Sequence, residues 1–155
     1  MNIEDLLSPE RVQCHTASTS KKRALEKLSE LLATGSSSLT ANEIFDSLLN
    51  RERLGSTGLG HGVAIPHGRS AGTQQAIAAM VTLDNGVDYD APDHQPVDIL
   101  FALVVPEEST DEHLKTLAQL AQMFSDQEMT GGIRDCRDAH CMLSLIGEWE
   151  ARQAA

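Results

Sequence analysis

The sequence predicts an α/β fold: a single domain in which a small mixed β-sheet is sandwiched by helices. Three observations carry this expectation. The first third repeats its apolar residues at helical spacing, and the last third does so again. Between them lie apolar runs, Ala76–Leu83 and Val97–Val105, of the length and continuity of strands covered on both faces. Turn and stop residues separate these segments, and no internal repeat or long linker divides them. The 155 residues suit one domain over 1–155, with its core in about 5–150.

After a loose start, Ser20 is placed to cap a helix over Lys21–Leu32. Its apolar positions 24/25, 28 and 31/32 share a face, and Gly35 ends the segment. Thr40 and Glu43 have capping-box spacing, and the helix they open buries Ile44, Phe45, Leu48 and Leu49 before Gly55 stops it. Arg51 falls in its last turn, beside the loop Ser56-Thr57-Gly58. Val63-Ala64-Ile65 is a short buried strand, halted by Pro66, which has no N–H for a ladder. Asp84-Asn85-Gly86 predicts a turn after the strand Ala76–Leu83. Pro106 closes the central strand. Ser109 and Glu112 again have capping-box spacing, and the helix behind them carries Leu114, Leu117, Ala118, Ala121 and Phe124 as an apolar stripe. Gly131-Gly132 predicts that any helix in 127–136 is short or broken. A last helix, from about Asp138 to Glu150, buries Ala139, Met142, Leu143, Ile146 and Trp149.

Hydrophobic residues make up 41% of the chain and charged ones 23%, a globular composition. The net charge of −11 argues against nucleic acid or an anionic membrane as partner. No apolar run approaches the ~20 residues of a membrane span. Met1-Asn2-Ile3-Glu4-Asp5 lacks the basic and apolar regions of a secretory signal, so the expected location is the cytoplasm. Cys14, Cys136 and Cys141 are odd in number and form no Cys-x-x-Cys pair, so they are expected to be reduced and structural.

The chemistry centres on Pro66-His67-Gly68. A rigid proline on one side and a bare glycine on the other present an imidazole nitrogen to a bulky reactant, such as a protein carrying a phosphoryl group. Neutral imidazole is a good and easily discharged nucleophile near pH 7. A transferring phosphoryl group spreads negative charge over three oxygens and needs positioned cations and N–H donors. Arg51 offers a planar fork, His113 stands in a helical first turn that favours anions, and Ser56 and Thr57 add donors in a glycine-flanked loop. Each has a plainer reading. Arg51 suits a helix C-terminus, His113 is an ordinary polar first-turn residue, and Ser56 and Thr57 only begin a strand.

Taken together, Arg51…Gly55-Ser56-Thr57-Gly58…Ala64-Ile65-Pro66-His67-Gly68, then a core strand ending in proline, then Glu112-His113-Leu114, resembles a known family over about Ser20 to Phe124. This is the type-2 enzyme IIA domain of the bacterial phosphoenolpyruvate-dependent phosphotransferase system, the mannitol/fructose class. Ser20-Lys21-Lys22-Arg23-Ala24-Leu25-Glu26 and Gly55-Ser56-Thr57-Gly58 are most similar to its nitrogen-regulatory members. The resemblance implies a small mixed sheet sandwiched by helices, with His67 as the phosphorylated nucleophile and Arg51 and His113 as its active-site companions. It implies an HPr-like phosphocarrier as donor, and regulatory targets such as potassium-transport regulators or sensor kinases. No metal or organic cofactor is called for. Arg69 either helps hold the anion or is a solvated charge. His61, where regulatory relatives more usually carry asparagine, is expected to be an exposed loop residue rather than a phosphoryl ligand. The alternative function is a sugar-specific enzyme IIA that passes phosphate to a IIB domain. A zinc module using His61, His67 and His113 is a further reading, opposed by the neighbouring arginine.

Overall fold

The computed structural model describes residues 2–154; Met1 and Ala155 lie outside the described residues, and with them the ends of the expected 1–155 domain. In chain order the elements are α1 (Ile3–Leu6), a 3-10 turn (Pro9–Arg11), β1 (Val12–Thr16), α2 (Lys21–Ala33), α3 (Ala41–Glu52), β2 (Gly58–Gly60), β3 (Val63–Ala64), β4 (His67–Ser70), β5 (Ile77–Val87), β6 (Val97–Pro106), α4 (Thr110–Ser125), α5 (Gln127–Asp135) and α6 (Ala139–Ala154). The strands form one mixed sheet in the order β1-β5-β6-β3-β2, and β4 pairs with β6 beyond β3.

β6 is the axis of the molecule. It runs antiparallel to β5 on one side. On the other it pairs in parallel first with β3 (Val63↔Ile99) and then with β4 (His67↔Leu103). β3 and β4 are therefore one interrupted strand. Pro66 sits in the interruption, where its missing N–H costs nothing, while its carbonyl accepts from the Leu103 N–H at 3.0 Å.

Alternate residues of β6 enter two separate cores. Ile99, Phe101, Leu103 and Val105 pack with Leu120, Met123, Ile133, Met142 and Ile146 from α4–α6. Val97, Leu100, Ala102 and Val104 pack with Leu28, Leu32, Ile44 and Leu48 from α2 and α3. The continuous apolar run is thus the sandwich layer, covered on both faces.

Capping follows the sequence at two of three sites. Ser20 accepts from the Arg23 N–H, and Thr40 and Glu43 form a full capping box. Ser109 makes no capping bond, so the box expected with Glu112 is absent; the N-cap backbone is not in the extended conformation that aims the hydroxyl at the turn. α4 is also rotated from expectation. Its buried residues are His113, Leu120, Met123 and Phe124, whereas Leu114, Ala118 and Ala121 face solvent. The stripe that wins holds the larger side chains together with His113. α5 is short, as expected, and runs through Gly131-Gly132. Asp126 caps it by accepting from the Glu128 and Met129 N–H groups, and burial of Met129 and Ile133 offsets the two glycines.

Two further expectations change. Asp84-Asn85-Gly86 is no turn: β5 continues to Val87 through a register shift between Thr82 and Val87, a bulge that bends the strand. Cys136 and Cys141 are joined in a disulfide rather than reduced, because the connection from α5 to α6 brings their Cα atoms to 5.6 Å. Cys14 is free.

Gly68 sets the distance between β4 and α3. A Cβ there would lie 3.2 Å from the Ser47 carbonyl carbon and closer still to the Ser47 hydroxyl. We expect Gly68→Ala to lose about 1–3 kcal/mol of stability, the usual cost of overpacking, read as a lowered urea midpoint at unchanged slope.

Candidate phosphoryl-accepting site

His67 opens β4 at the exposed margin of the sheet and is partly buried. Successive strand residues point to opposite faces. Gly68 therefore meets Ser47 of α3, while the His67 ring lies 5.2 Å, centre to centre, from the ring of His113 at the start of α4. The Nδ1 of His67 is 2.8 Å from the carbonyl of Ile65. Only a protonated Nδ1 can donate to that oxygen, so the bond selects the tautomer with its proton there and leaves Nε2 with a free lone pair.

Around these rings lies a cleft of about 390 Å3, lined by Ser47, Asn50, Arg51, Leu54, His67, Gly68, Arg69 and His113. Arg51, in the last turn of α3, donates from Nη1 to the Gly55 carbonyl at 2.9 Å, which orients its guanidinium. His113 is almost wholly buried, at 4% exposure. Its Nδ1 is sealed from solvent without a partner, so Nε2 is the nitrogen left to meet a ligand.

Burial pushes the His113 pKa down to about 4, helped by His67 and the charge of Arg69. Burial also lowers the pKa of His67, and Arg51 and Arg69 act in the same direction. The Ile65 carbonyl and Glu52 oppose the shift. Both rings are therefore neutral at pH 7: one an available nucleophile, the other a neutral hydrogen-bonding group.

Both lowered values have a consequence for stability. Below the ordinary histidine pKa of about 6.5 the unfolded chain binds protons that the folded chain refuses. Stability therefore rises with pH in that window and falls as pH drops from about 6.5 toward 4. We expect His113→Gln to flatten this dependence, measured as urea midpoints between pH 7 and pH 4.5.

The other residues singled out by sequence divide. Arg69 lines the cleft on the same strand face as His67. Ser56 and Thr57 do not line it. Ser56 donates to the Tyr89 carbonyl at 3.3 Å, and Thr57 is buried against Glu52 and Tyr89. Their hydroxyls are committed to a neighbouring polar core. His61 is exposed at the turn between β2 and β3, with φ of 55°; its N–H donates to Asp93 and its carbonyl accepts from Arg134. That turn lies beside the Ile99 end of β6, about 13 Å along the strand from Leu103, the partner of His67. The three imidazoles of the zinc reading are thus not gathered, and among the described residues no three His, Cys, Asp or Glu side chains converge as a ligand set. Sequence reasoning missed Ser47, Asn50 and Leu54. Together with Arg51 they stand at i, i+3, i+4 and i+7 of α3 and its end, one face of a helix, which is a legible signal.

A mixed sheet between two helical layers, with two facing histidines and two arginines around a cleft at its margin, defines a class, and comparison with known proteins names it. The family profile described as phosphoenolpyruvate-dependent sugar phosphotransferase system, EIIA 2, matches residues 5–149, and the chain belongs to that family. Within it, the chain is similar to the nitrogen regulatory proteins. It is 41% identical to that of Pseudomonas aeruginosa over 146 residues, covering 94% of this chain and 95% of the relative. It is 38% identical to that of Escherichia coli, covering 97% and 92%. The crystal structure of nitrogen regulatory protein IIA-Ntr from Neisseria meningitidis superposes with a TM-score of 0.89 at 40% identity, covering 93% of this chain and 98% of that one. Escherichia coli IIA mannitol, at 18% identity and a TM-score of 0.75, shares the fold. Among the described residues no helix is long and apolar enough to cross a membrane.

Proposed function

We propose that this protein is a phosphoryl carrier of a nitrogen-related phosphotransferase system. It accepts a phosphoryl group on Nε2 of His67 from the phosphohistidine of an HPr-like carrier, and its phosphorylated and free forms engage different regulatory targets. The observation that carries the reading is the Nδ1 bond of His67 to the Ile65 carbonyl, which leaves Nε2 free in a cleft with two arginines. The likeness to nitrogen regulatory proteins over more than nine-tenths of the chain favours the regulatory role over a sugar-specific one.

In the transfer step, the Nε2 lone pair of His67 forms a bond to phosphorus as the donor's N–P bond breaks, and the donor ring departs as a neutral imidazole. The His67 Nδ1 proton stays against the Ile65 carbonyl throughout and stabilises the charge the ring acquires. Arg51 and Arg69 meet the equatorial oxygens, and His113 donates from Nε2 as a neutral group. Leu54, which lines the cleft, and Leu114, next to His113 in α4, are 84% and 61% exposed and offer apolar contact to the docked carrier. Potassium-transport regulators and sensor kinases are the expected class of downstream partner, and the cytoplasm the expected location.

The experiment incubates the protein with phosphoenolpyruvate, enzyme I and an HPr-type carrier, and follows phosphoryl uptake by intact mass. One acid-labile adduct of a single phosphoryl group is the expected result. No adduct, or an adduct retained in His67→Ala, overturns the reading.

A further inference from the structure

Glu52 follows Arg51 at the end of α3, yet its side chain is only 3% exposed. Its carboxylate is met on all sides. Lys21 Nζ lies at 2.8 Å, the Tyr89 hydroxyl donates at 2.9 Å, the Thr57 N–H donates at 3.2 Å, and the Thr57 hydroxyl donates as well. Lys21 also donates to the Tyr89 carbonyl and stands 4.3 Å from the centre of the Tyr89 ring. Desolvating a carboxylate is costly, and an apolar residue of similar volume would fill the space more cheaply. What a carboxylate adds is direction.

Two chains of hydrogen bonds run from Glu52 to the cleft, one from its carboxylate and one from its backbone carbonyl. In the first, the Thr57 N–H donates to Glu52, and the Thr57 carbonyl, on the other side of the same Cα, accepts from the Ile65 N–H at 3.0 Å. The Ile65 carbonyl then accepts from Nδ1 of His67 at 2.8 Å. In the second, the Glu52 backbone carbonyl accepts from the Gly55 N–H at 3.1 Å, and the Gly55 carbonyl accepts from Arg51 at 2.9 Å. Glu52 therefore holds Thr57 through its carboxylate and Gly55 through its backbone carbonyl, and each contact leads to one group of the cleft.

We propose that Glu52 is a positioning residue for phosphoryl transfer: its buried carboxylate, clamped by Lys21, Tyr89 and Thr57, fixes Thr57 and through it the Ile65 carbonyl that orients the ring of His67. The proposal rests on the role proposed for His67.

The test uses Glu52→Gln, which keeps the shape and removes the charge, with Tyr89→Phe, which deletes one clamp bond, as the second variant should the first fail to fold. Two readouts are taken. In single-turnover uptake from the phosphorylated HPr-type carrier, the maximal rate per folded molecule falls on the order of tenfold, while the donor concentration at half-maximal rate is unchanged, as expected for one lost charge-assisted bond. In NMR spectra of the unphosphorylated protein, the His67 ring nitrogen resonances shift. A loss of thermal stability with rates and resonances unmoved would mean a merely structural carboxylate and overturns the proposal. Failure of the wild-type protein to accept phosphate would remove the transfer reading but leave the NMR test of positioning standing.

Discussion

Replacing His67 with alanine should abolish phosphoryl uptake altogether, the largest effect of any substitution in this chain. The other groups of the cleft bind or orient; none replaces a nucleophile. Arg51 and Arg69 have no lone pair to offer at pH 7. His113 has one nitrogen sealed in the interior and a pKa of about 4, and it stands where burial of its ring limits access to a docked carrier. The substitution should leave the fold intact, because His67 is only partly buried and the backbone pairing of β4 with β6 does not depend on its ring. An unchanged circular dichroism spectrum with no mass adduct is the expected pair of results. An adduct at the wild-type rate would move the nucleophile elsewhere. The lowered pKa of His67, caused mainly by its burial, further predicts that the midpoint of the acid loss of wild-type uptake lies below the ordinary histidine value of about 6.5.

Arg51→Ala should fold normally and accept phosphate about 10- to 150-fold more slowly, corresponding to about 1.5–3 kcal/mol for a charge-assisted bond to the transferring group. The side chain sits on the exposed end of α3 and its one bond, to the Gly55 carbonyl, is at the surface, so little stability is at stake. The loss should appear in the maximal single-turnover rate rather than in donor binding, since charge on the phosphoryl oxygens builds as the N–P bonds rearrange. Arg51→Lys should recover part of the rate, keeping the charge without the planar fork. A rate within twofold of wild type in Arg51→Ala would reduce this residue to a helix-terminal cation.

The sandwich was readable because its causes are local and periodic. Val97–Val105 has no polar face to offer solvent, so a layer on each side follows from its composition, and α2 and α3 announce themselves through Ser20 and the Thr40/Glu43 box. The start of the chain was not readable. α1 is one turn whose N–H groups are satisfied by the Glu150 carboxylate at 2.7 and 2.8 Å, from the other end of the chain. β1 owes its existence to parallel pairing with β5, and β4 to pairing with β6. The sequence His67-Gly68-Arg69-Ser70 has no strand propensity of its own; the register of its neighbour imposes the conformation. The Asp84-Asn85-Gly86 segment shows the same priority in reverse, since a strong local turn signal yields to continued pairing with a bulge.

In the candidate site, the resemblance carried by the motifs around Pro66-His67-Gly68 singled out His67, Arg51 and His113 and left Arg69 between anion ligand and solvated charge; all four border one cleft. The motifs could not place Ser56 and Thr57, whose hydroxyls looked equally available but are taken up by the Tyr89 carbonyl and the buried Glu52 carboxylate. Nor could they draw attention to Glu52, because a carboxylate beside an arginine on a helix normally points to water.

Sequence alone determined which chemistry this chain can attempt: a proline-held imidazole, two arginines and a helix-borne histidine are covalent facts, and apolar periodicity determined the layers that carry them. Tertiary structure decided which nitrogen is free, which groups share the cleft and which carboxylate is buried. The reason is physical: these depend on hydrogen bonds and desolvation between segments distant in sequence, energies that no local pattern contains.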